Sequence, residues 1–146
     1  MSRLSFAEWP LDARDVLRPA LEAARLPTDD IDLPGRTFFE LSDNCGPIGF
    51  IGLEGDGTDR LLRSLVVLPG RARQGYGALL VAHAEAAARR DGVERLHLLT
   101  TTATHFFRVR GYKDANRDTA PVAISSTAQF SSLCPGSATY LAKELG

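Results

Sequence analysis

The sequence predicts a mixed α/β fold: one sheet of mostly antiparallel strands containing one parallel pair, with helices on both faces. Three observations carry this expectation. Thr37–Leu41, Ile48–Leu53 and Arg60–Leu68 are short apolar runs separated by Asp43-Asn44-Cys45-Gly46-Pro47 and Gly55-Asp56-Gly57, as in an antiparallel meander. The run at 60–68 feeds an alanine-rich helix over Gly75–Arg90. A further strand at Glu94–Leu99 follows that helix, so strands 60–68 and 94–99 are expected to be parallel neighbours.

The remaining elements fall around this centre. Arg3–Ala7 reads as a first strand and Pro10–Leu26 as an amphipathic helix, with Leu11, Val16, Leu17, Leu21 and Ala24 near one face. Pro27–Pro34 is acidic and bounded by prolines, so it reads as a loop or a short helix. Thr102–Arg110 follows as a helix, Tyr112–Asn116 as a short strand, and Ala138–Lys143 as the strand expected to close the sheet. At 146 residues the chain is expected to be one domain, 1–146, long enough to bury a core.

Composition excludes several classes of function. A formal net charge of −1 gives no general attraction to nucleic acid or to anionic membranes. The longest apolar runs are too short to span a bilayer, and Glu8, Asp12 and Asp15 stand where a signal peptide needs an apolar core. Cys45 and Cys134 are too few and too far apart for a disulfide framework or a zinc site, so no metal is expected. The cytoplasm is the expected location.

The chemistry starts at Leu61–Gly77, LLRSLVVLPGRARQGYG, where an apolar strand runs into a Gly-x-Gly turn that opens a helix. Such a turn aims free backbone N–H groups and the positive end of the helix dipole at one point, a ready site for a phosphate. A plain structural turn would use the same two glycines. Two familiar phosphate motifs fail on spacing. A nucleoside-triphosphate loop needs Gly-Lys-Ser/Thr, but Gly77 is followed by Ala78 and Leu79. A dinucleotide fingerprint needs a small residue where Leu80 stands, and an acidic residue after a second strand, which here ends in Thr100-Thr101-Thr102.

A second segment, Leu98–Tyr112 (LLTTTATHFFRVRGY), gives the turn its context. The pair resembles the Gcn5-related N-acetyltransferase superfamily, with its V-x-P-x-x-[RQ]-x-x-G-x-[GA] and A-x-x-F-Y-x-x-x-G-[FY] motifs. The first motif is matched by Val67-Leu68-Pro69-Gly70-Arg71-Ala72-Arg73-Gln74-Gly75-Tyr76-Gly77, the second by Ala103-Thr104-His105-Phe106-Phe107-Arg108-Val109-Arg110-Gly111-Tyr112. Together they cover roughly the central third of the chain, in the family's order. Within the superfamily, Leu99-Thr100-Thr101 with His105, Phe107 and Arg110-Gly111 is similar to bacterial amino-acid acetyltransferases that make N-acetylglutamate. Ala128–Pro135 resembles a small group of N-acetyltransferases found with arsenic-resistance genes. Three positions depart from the patterns. Ala72 replaces the arginine or glutamine of the first motif, Phe107 the tyrosine that protonates the departing thiolate, and Thr102 the arginine of glutamate acetyltransferases.

The resemblance implies acetyl-coenzyme A as co-substrate, a small amine as acceptor, a splay between strands 60–68 and 94–99, and a homodimer as a compatible assembly. It places the pyrophosphate against Arg71, Arg73, Gln74, Gly75, Tyr76, Gly77 and Ala78. It sets the thioester beside the backbone of Leu65, Val66 and Val67, with Thr100, Phe106 and Phe107 completing the cofactor contacts. For the general base the candidates are Glu40, Glu54 and His105, each with a plainer reading as a solvated charge, cap or packed ring. For the substrate they are Arg63, Ser64 and Thr102. Arg63 and Ser64 interrupt the apolar strand, and a buried charge needs a partner. A substrate carboxylate or a salt bridge to Glu40 or Glu54 would serve. His83 and His97 read as packed histidines, and Cys134 as a buried structural thiol.

Overall fold

A computed structural model describes residues 4–9, 14–23, 28, 35–71, 75–127, 130 and 138–145. The strands are β1 (Ser5–Glu8), β2 (Arg36–Asp43), β3 (Gly46–Glu54), β4 (Asp59–Val67), β5 (Arg95–Thr100), β6 (Lys113–Asp114) and β7 (Thr139–Glu144). The helices are α1 (Arg14–Ala23), α2 (Tyr76–Arg90), α3 (Thr104–Val109) and α4 (Val122–Ser125), with a 3₁₀ turn at Arg117–Thr119. All seven strands form one sheet in the order β1-β2-β3-β4-β5-β7-β6. Of the strand pairs, β4 and β5 are parallel and the rest antiparallel, as the sequence predicts.

The last strand corrects one expectation. Instead of closing the sheet at its edge, β7 inserts between β5 and β6. It pairs with β5 along its whole length, from Arg95↔Glu144 to Thr100↔Thr139, whereas β6 contributes only Lys113 and Asp114 to its other side. The apolar side chains of β5 and β7 alternate in step, and the longer ladder takes the interior place. The 3₁₀ turn and α4 went unforeseen: elements this short show no helical period.

Strand alternation sorts the core into two layers. On one face Leu41, Ile51, Leu53, Leu62, Leu96, Leu98 and Leu141 pack beneath α2, with Leu80, Val81, Ala84 and Ala88 facing them. On the other, Phe38, Phe50 and Val66 pack against Leu21 of α1. That second layer includes polar residues as well. Gly52 makes room for it, since a side chain there would meet the Phe38 ring at 2.8 Å and Arg63 Cγ at 3.2 Å.

Two irregularities of β4 shape the centre of the sheet. Phe50 pairs with Val66 but Gly52 pairs with Arg63, so β4 holds one extra residue in a β-bulge. Ser64 sits within the bulge at φ 59°, a conformation that non-glycine residues seldom adopt. On the other edge, β4 pairs with β5 only from Asp59↔Arg95 to Leu61↔His97, and beyond that point the two strands separate.

Candidate active site

The Gly-x-Gly turn opens α2. Gly75 is the N-cap residue at φ 99° and ψ −16°, and no side chain caps the helix. Helix geometry leaves the first-turn amides of Tyr76, Gly77 and Ala78 without intrahelical acceptors, and the first turn has no acidic residue to quench the dipole. Gly75 has open space around its missing Cβ, while a Cβ on Gly77 would lie 3.3 Å from Phe106 Cζ. The second glycine is therefore small because the second motif's phenylalanine packs on it, which physically joins the two motifs. Arg71 ion-pairs with Asp43 at 2.5 Å, and that guanidinium holds the Asp43 carboxyl below its ordinary range. Ala72, Arg73 and Gln74 lie outside the described residues.

Where β4 and β5 part, a cleft of about 120 Å³ opens, lined by Leu62, Arg63, Ser64, Leu65, Leu98, Leu99, Thr100, Thr102, Ala103 and Phe107. Beyond Leu61 the β5-facing edge of β4 has no strand partner, so its backbone groups face the cleft. Leu65, Val66 and Val67 are on this stretch. Thr100 Oγ1 accepts a hydrogen bond from Ala103 N at 2.9 Å and so shapes the turn into α3. Phe107 is buried against the cleft and brings no hydroxyl to it. Phe106 is clamped by Arg110, whose guanidinium lies 3.8 Å from the ring centroid and donates to Phe106 O at 2.8 Å. Tyr112, the aromatic that ends the second motif, is 1% exposed and donates to Glu85 Oε2 at 2.9 Å, with Lys143 Nζ 3.0 Å from the same oxygen.

The polar candidates separate clearly. Arg63 is buried and donates from Nη1 to Glu54 Oε1 at 2.9 Å and from Nε to Ser64 Oγ at 3.1 Å. Arg36 Nη2 meets the other oxygen of Glu54 at 3.2 Å. Of the partners the sequence offers Arg63, the structure contains the salt bridge to Glu54. Glu40, in the middle of β2 between Ala7 and Phe50, is half-buried, and desolvation raises its pKa. Its carboxylate has no hydrogen bond or ion pair among the described residues. His105 is exposed on the first turn of α3, and Thr102 is exposed at the cleft mouth.

One constellation escaped the sequence reading. His97 Nδ1 lies 2.7 Å from Tyr140 Oη, and His97 Nε2 lies 2.7 Å from Asp59 Oδ1. Burial lowers the His97 pKa, the Asp59 hydrogen bond opposing that effect. His83, the other histidine read as packed, stacks on Phe6 with ring centroids 4.8 Å apart. Cys134 lies outside the described residues, and among the described residues no cluster of three metal-binding side chains occurs. No described helix is long and apolar enough to cross a membrane.

Known proteins share both the sequence and the geometry. Over 65 residues, 44% of this chain, it is 38% identical to an amino-acid acetyltransferase of Ectopseudomonas mendocina, and the match spans only 15% of that protein. N-acetylglutamate synthase from Neisseria gonorrhoeae, solved with coenzyme A and N-acetyl-glutamate, superposes with a TM-score of 0.75 at 21% identity. The superposition covers all of this chain and 36% of the synthase. A GNAT-family acetyltransferase from Staphylococcus aureus Mu50 superposes at a TM-score of 0.79 with 15% identity, covering 99% of this chain and 100% of that one. The acetyltransferase (GNAT) domain model matches residues 34–114, more than half of the sequence and both motifs, and the chain belongs to that family.

Proposed function

We propose that this chain transfers the acetyl group of acetyl-coenzyme A to the amine of a small, amino-acid-like molecule. The observation that carries the reading is the pairing of two features across α3: Phe107 lines the cleft between β4 and β5, and its neighbour Phe106 packs on Gly77 in the uncapped first turn of α2. The turn suits a pyrophosphate and the cleft a thioester. Solved relatives that hold coenzyme A support the cofactor, and the amino-acid acetyltransferase match supports the acceptor class.

In this reading the amides of Tyr76, Gly77 and Ala78 receive the pyrophosphate, and Arg73 and Gln74 remain the side-chain candidates that the motif offers for it. The pantetheine arm lies along the open edge of β4. A backbone N–H of the Leu65–Val67 stretch donates to the thioester oxygen, and Thr100, Phe106 and Phe107 form the opposite wall. The acceptor nitrogen attacks the thioester carbon, its N–C bond forms, and the C–S bond breaks to release the thiolate. Negative charge on the former carbonyl oxygen is met by that N–H, a contribution of up to about 3–4 kcal/mol in comparable sites.

The polar candidates take different tasks in this scheme. Glu54 has both oxygens on guanidiniums, so it positions Arg63 and, through it, Ser64 in the bulge. Arg63 is then a structural cation. Glu40 lies on the same face two strands away, roughly 10 Å from β4 at ordinary strand spacing, which suits it to a charge on the acceptor's body. Thr102 lines the cleft, and His105 follows it on the exposed first turn of α3. An organoarsenical amino-acid analogue belongs among the acceptors because of the Ala128–Pro135 resemblance.

Incubation with acetyl-coenzyme A and a panel of glutamate, other amino acids, their decarboxylated amines and an arsenical analogue tests this by release of free thiol. Turnover that favours the carboxylate-bearing acceptors is expected. Binding of coenzyme A with no thiol release for any amine would favour the second reading, an acetyl-coenzyme A sensor of the same fold. Phe107, with no hydroxyl for the thiolate, is the observation on that side.

A further inference from the structure

The chemistry above needs a group to take a proton from the acceptor ammonium and one to return a proton to the thiolate, and Phe107 does neither. Tyr140, His97 and Asp59 are three polar groups in contact on one face of the sheet, on β7 and on the two strands that border the cleft. His97 is the residue of β5 opposite Leu61, the last pair before the strands separate. Tyr140 is the β7 partner of Leu99, and Leu99 lines the cleft. The two rings stack with centroids 5.9 Å apart, on the face opposite α2. Tyr140 is 5% exposed and His97 2%, while the Asp59 side chain is 16% exposed. The chain of contacts thus runs from the cross-strand partner of a cleft-lining residue to the surface.

Its hydrogen bonds fix its polarity. An Asp59 carboxylate accepts only, so His97 carries its proton on Nε2, and Nδ1 is left to accept from the Tyr140 hydroxyl. We propose that Tyr140, His97 and Asp59 form a proton relay for acetyl transfer, with Tyr140 at its cleft end. This rests on the acetyl-transfer reading of the same cleft. The acceptor ammonium gives one proton to the Tyr140 oxygen as the phenol proton moves to His97 Nδ1. Asp59 holds the resulting imidazolium. The free amine attacks the thioester carbon, the N–C bond forms and the C–S bond breaks. His97 returns its proton to Tyr140, and the phenol proton passes to the thiolate. The second proton of the nitrogen leaves to water, so ammonium and thioester become amide, thiol and one hydrated proton, with the relay restored.

The charged groups around His97 suit this cycle. Arg95, on the same strand, is held by Asp59 at 3.0 Å. Arg63 of β4 is bound to Glu54. Helix α4 brings no titratable side chain to this face. Arg117 lies 5.5 Å above Phe130, whose ring packs edge-on against Tyr140. Desolvation and then the Asp59 charge raise the Tyr140 pKa, so it passes protons on instead of losing its own to bulk water.

The test is the pH profile of kcat/KM for an accepted amine, in wild type, Tyr140→Phe and Asp59→Asn. With the relay intact the ammonium form is substrate, so the profile is flat above the His97 titration. In Tyr140→Phe only the neutral amine reacts. Its profile then climbs about tenfold per pH unit, and kcat falls roughly a hundredfold or more, with coenzyme A affinity unchanged. Asp59→Asn lies at the exposed end, where folding is least at risk. Losing that charge lowers the His97 pKa and moves the acid limb to lower pH. If Tyr140→Phe keeps the wild-type profile, or Asp59→Asn leaves the acid limb in place, the relay is wrong although the transferase reading stands. Failure of wild type to release thiol would instead remove the transferase reading. The nitrogen chemical shifts of His97 test the relay without turnover: an Nδ1–H tautomer at neutral pH would overturn it.

Discussion

Two buried polar networks flank the central strand on the same face of the sheet, and they are built from different chemistry. On the β3 side, one carboxylate, Glu54, is shared between the guanidiniums of Arg36 and Arg63. On the β5 side, a ring and a phenol continue inward from Asp59. The first is a set of full charges at fixed positions, and it braces the strand at the bulge where Ser64 takes its unusual conformation. The second contains groups that exist in two protonation states. Permanent charges hold geometry and titratable groups move protons, so the two sides of β4 divide these tasks between them.

The largest effect is expected from breaking the first network. Glu54→Ala would remove the Glu54 carboxylate from the Arg63 guanidinium, whose side chain is 0% exposed. Loss of one partner from a buried pair costs roughly 3–5 kcal/mol, to be read as a lowered denaturant midpoint. Arg63→Ala should also melt early, and it should slow every acceptor by a similar factor. A selective loss for carboxylate-bearing acceptors would instead return Arg63 to the substrate site.

The second network should show itself through pH. The folded pKa of His97 lies below its ordinary 6.5, because burial disfavours the charged ring. Between those two values the unfolded chain binds more protons than the folded one, so stability falls as pH drops below about 6.5 and levels off beneath the folded pKa. Unfolding followed from pH 7.5 to 5 in wild type and His97→Gln should show this slope only in wild type. An equal slope in both would place the titration elsewhere.

Smaller effects are expected at the donor end. Gly77→Ala brings a Cβ to 3.3 Å from Phe106, so the ring must give by a few tenths of an ångström, and the change should forfeit much of the roughly 1 kcal/mol that alanine ordinarily gains over glycine in a helix. Adding Phe106→Leu should recover much of that loss, which a double-mutant cycle measures. Asp43→Asn should do least to stability. The folded pKa of Asp43 is below 3.8, so its contribution is present above that value and lost only as pH falls through the folded pKa. It also releases Arg71, which precedes the Gly-x-Gly turn. A tighter, salt-sensitive affinity for coenzyme A in Asp43→Asn would show that Arg71 is withheld by its partner.

Much of this architecture was legible in the chain because it is written in local patterns. The meander, the strand–turn–helix at Leu61–Arg90 and the crossover each lie within one stretch of sequence. The interruption of β4 by Arg63 and Ser64 was visible, and Glu54 stood among the expected partners of the arginine. The relay was not legible. Tyr140 and His97 are separated by 43 residues and His97 and Asp59 by 38, and only the insertion of β7 beside β5 brings the three together. Within its strand, His97 alternates with Leu96 and Leu98 like any packed residue. The function of Gly77 was also only half readable. Its small size suggested approach to a ligand, yet the neighbour the structure supplies is Phe106, from the other motif. Side-chain partnerships set by strand order leave no periodic trace in sequence.

Acetyl transfer by this chain requires that coenzyme A bind with its pyrophosphate at the N-terminus of α2. Calorimetric titration of coenzyme A into wild type and Gly75→Val tests that placement directly. Gly75 stands at φ 99° with no atom near its missing Cβ, so the variant is expected to fold at a cost of about 1–3 kcal/mol in backbone strain. Its side chain would project into the space where the phosphates approach the backbone amides. Saturable binding by wild type, and none by a Gly75→Val protein with wild-type circular dichroism, is the predicted result. A folded Gly75→Val protein that binds coenzyme A as tightly as wild type would contradict it.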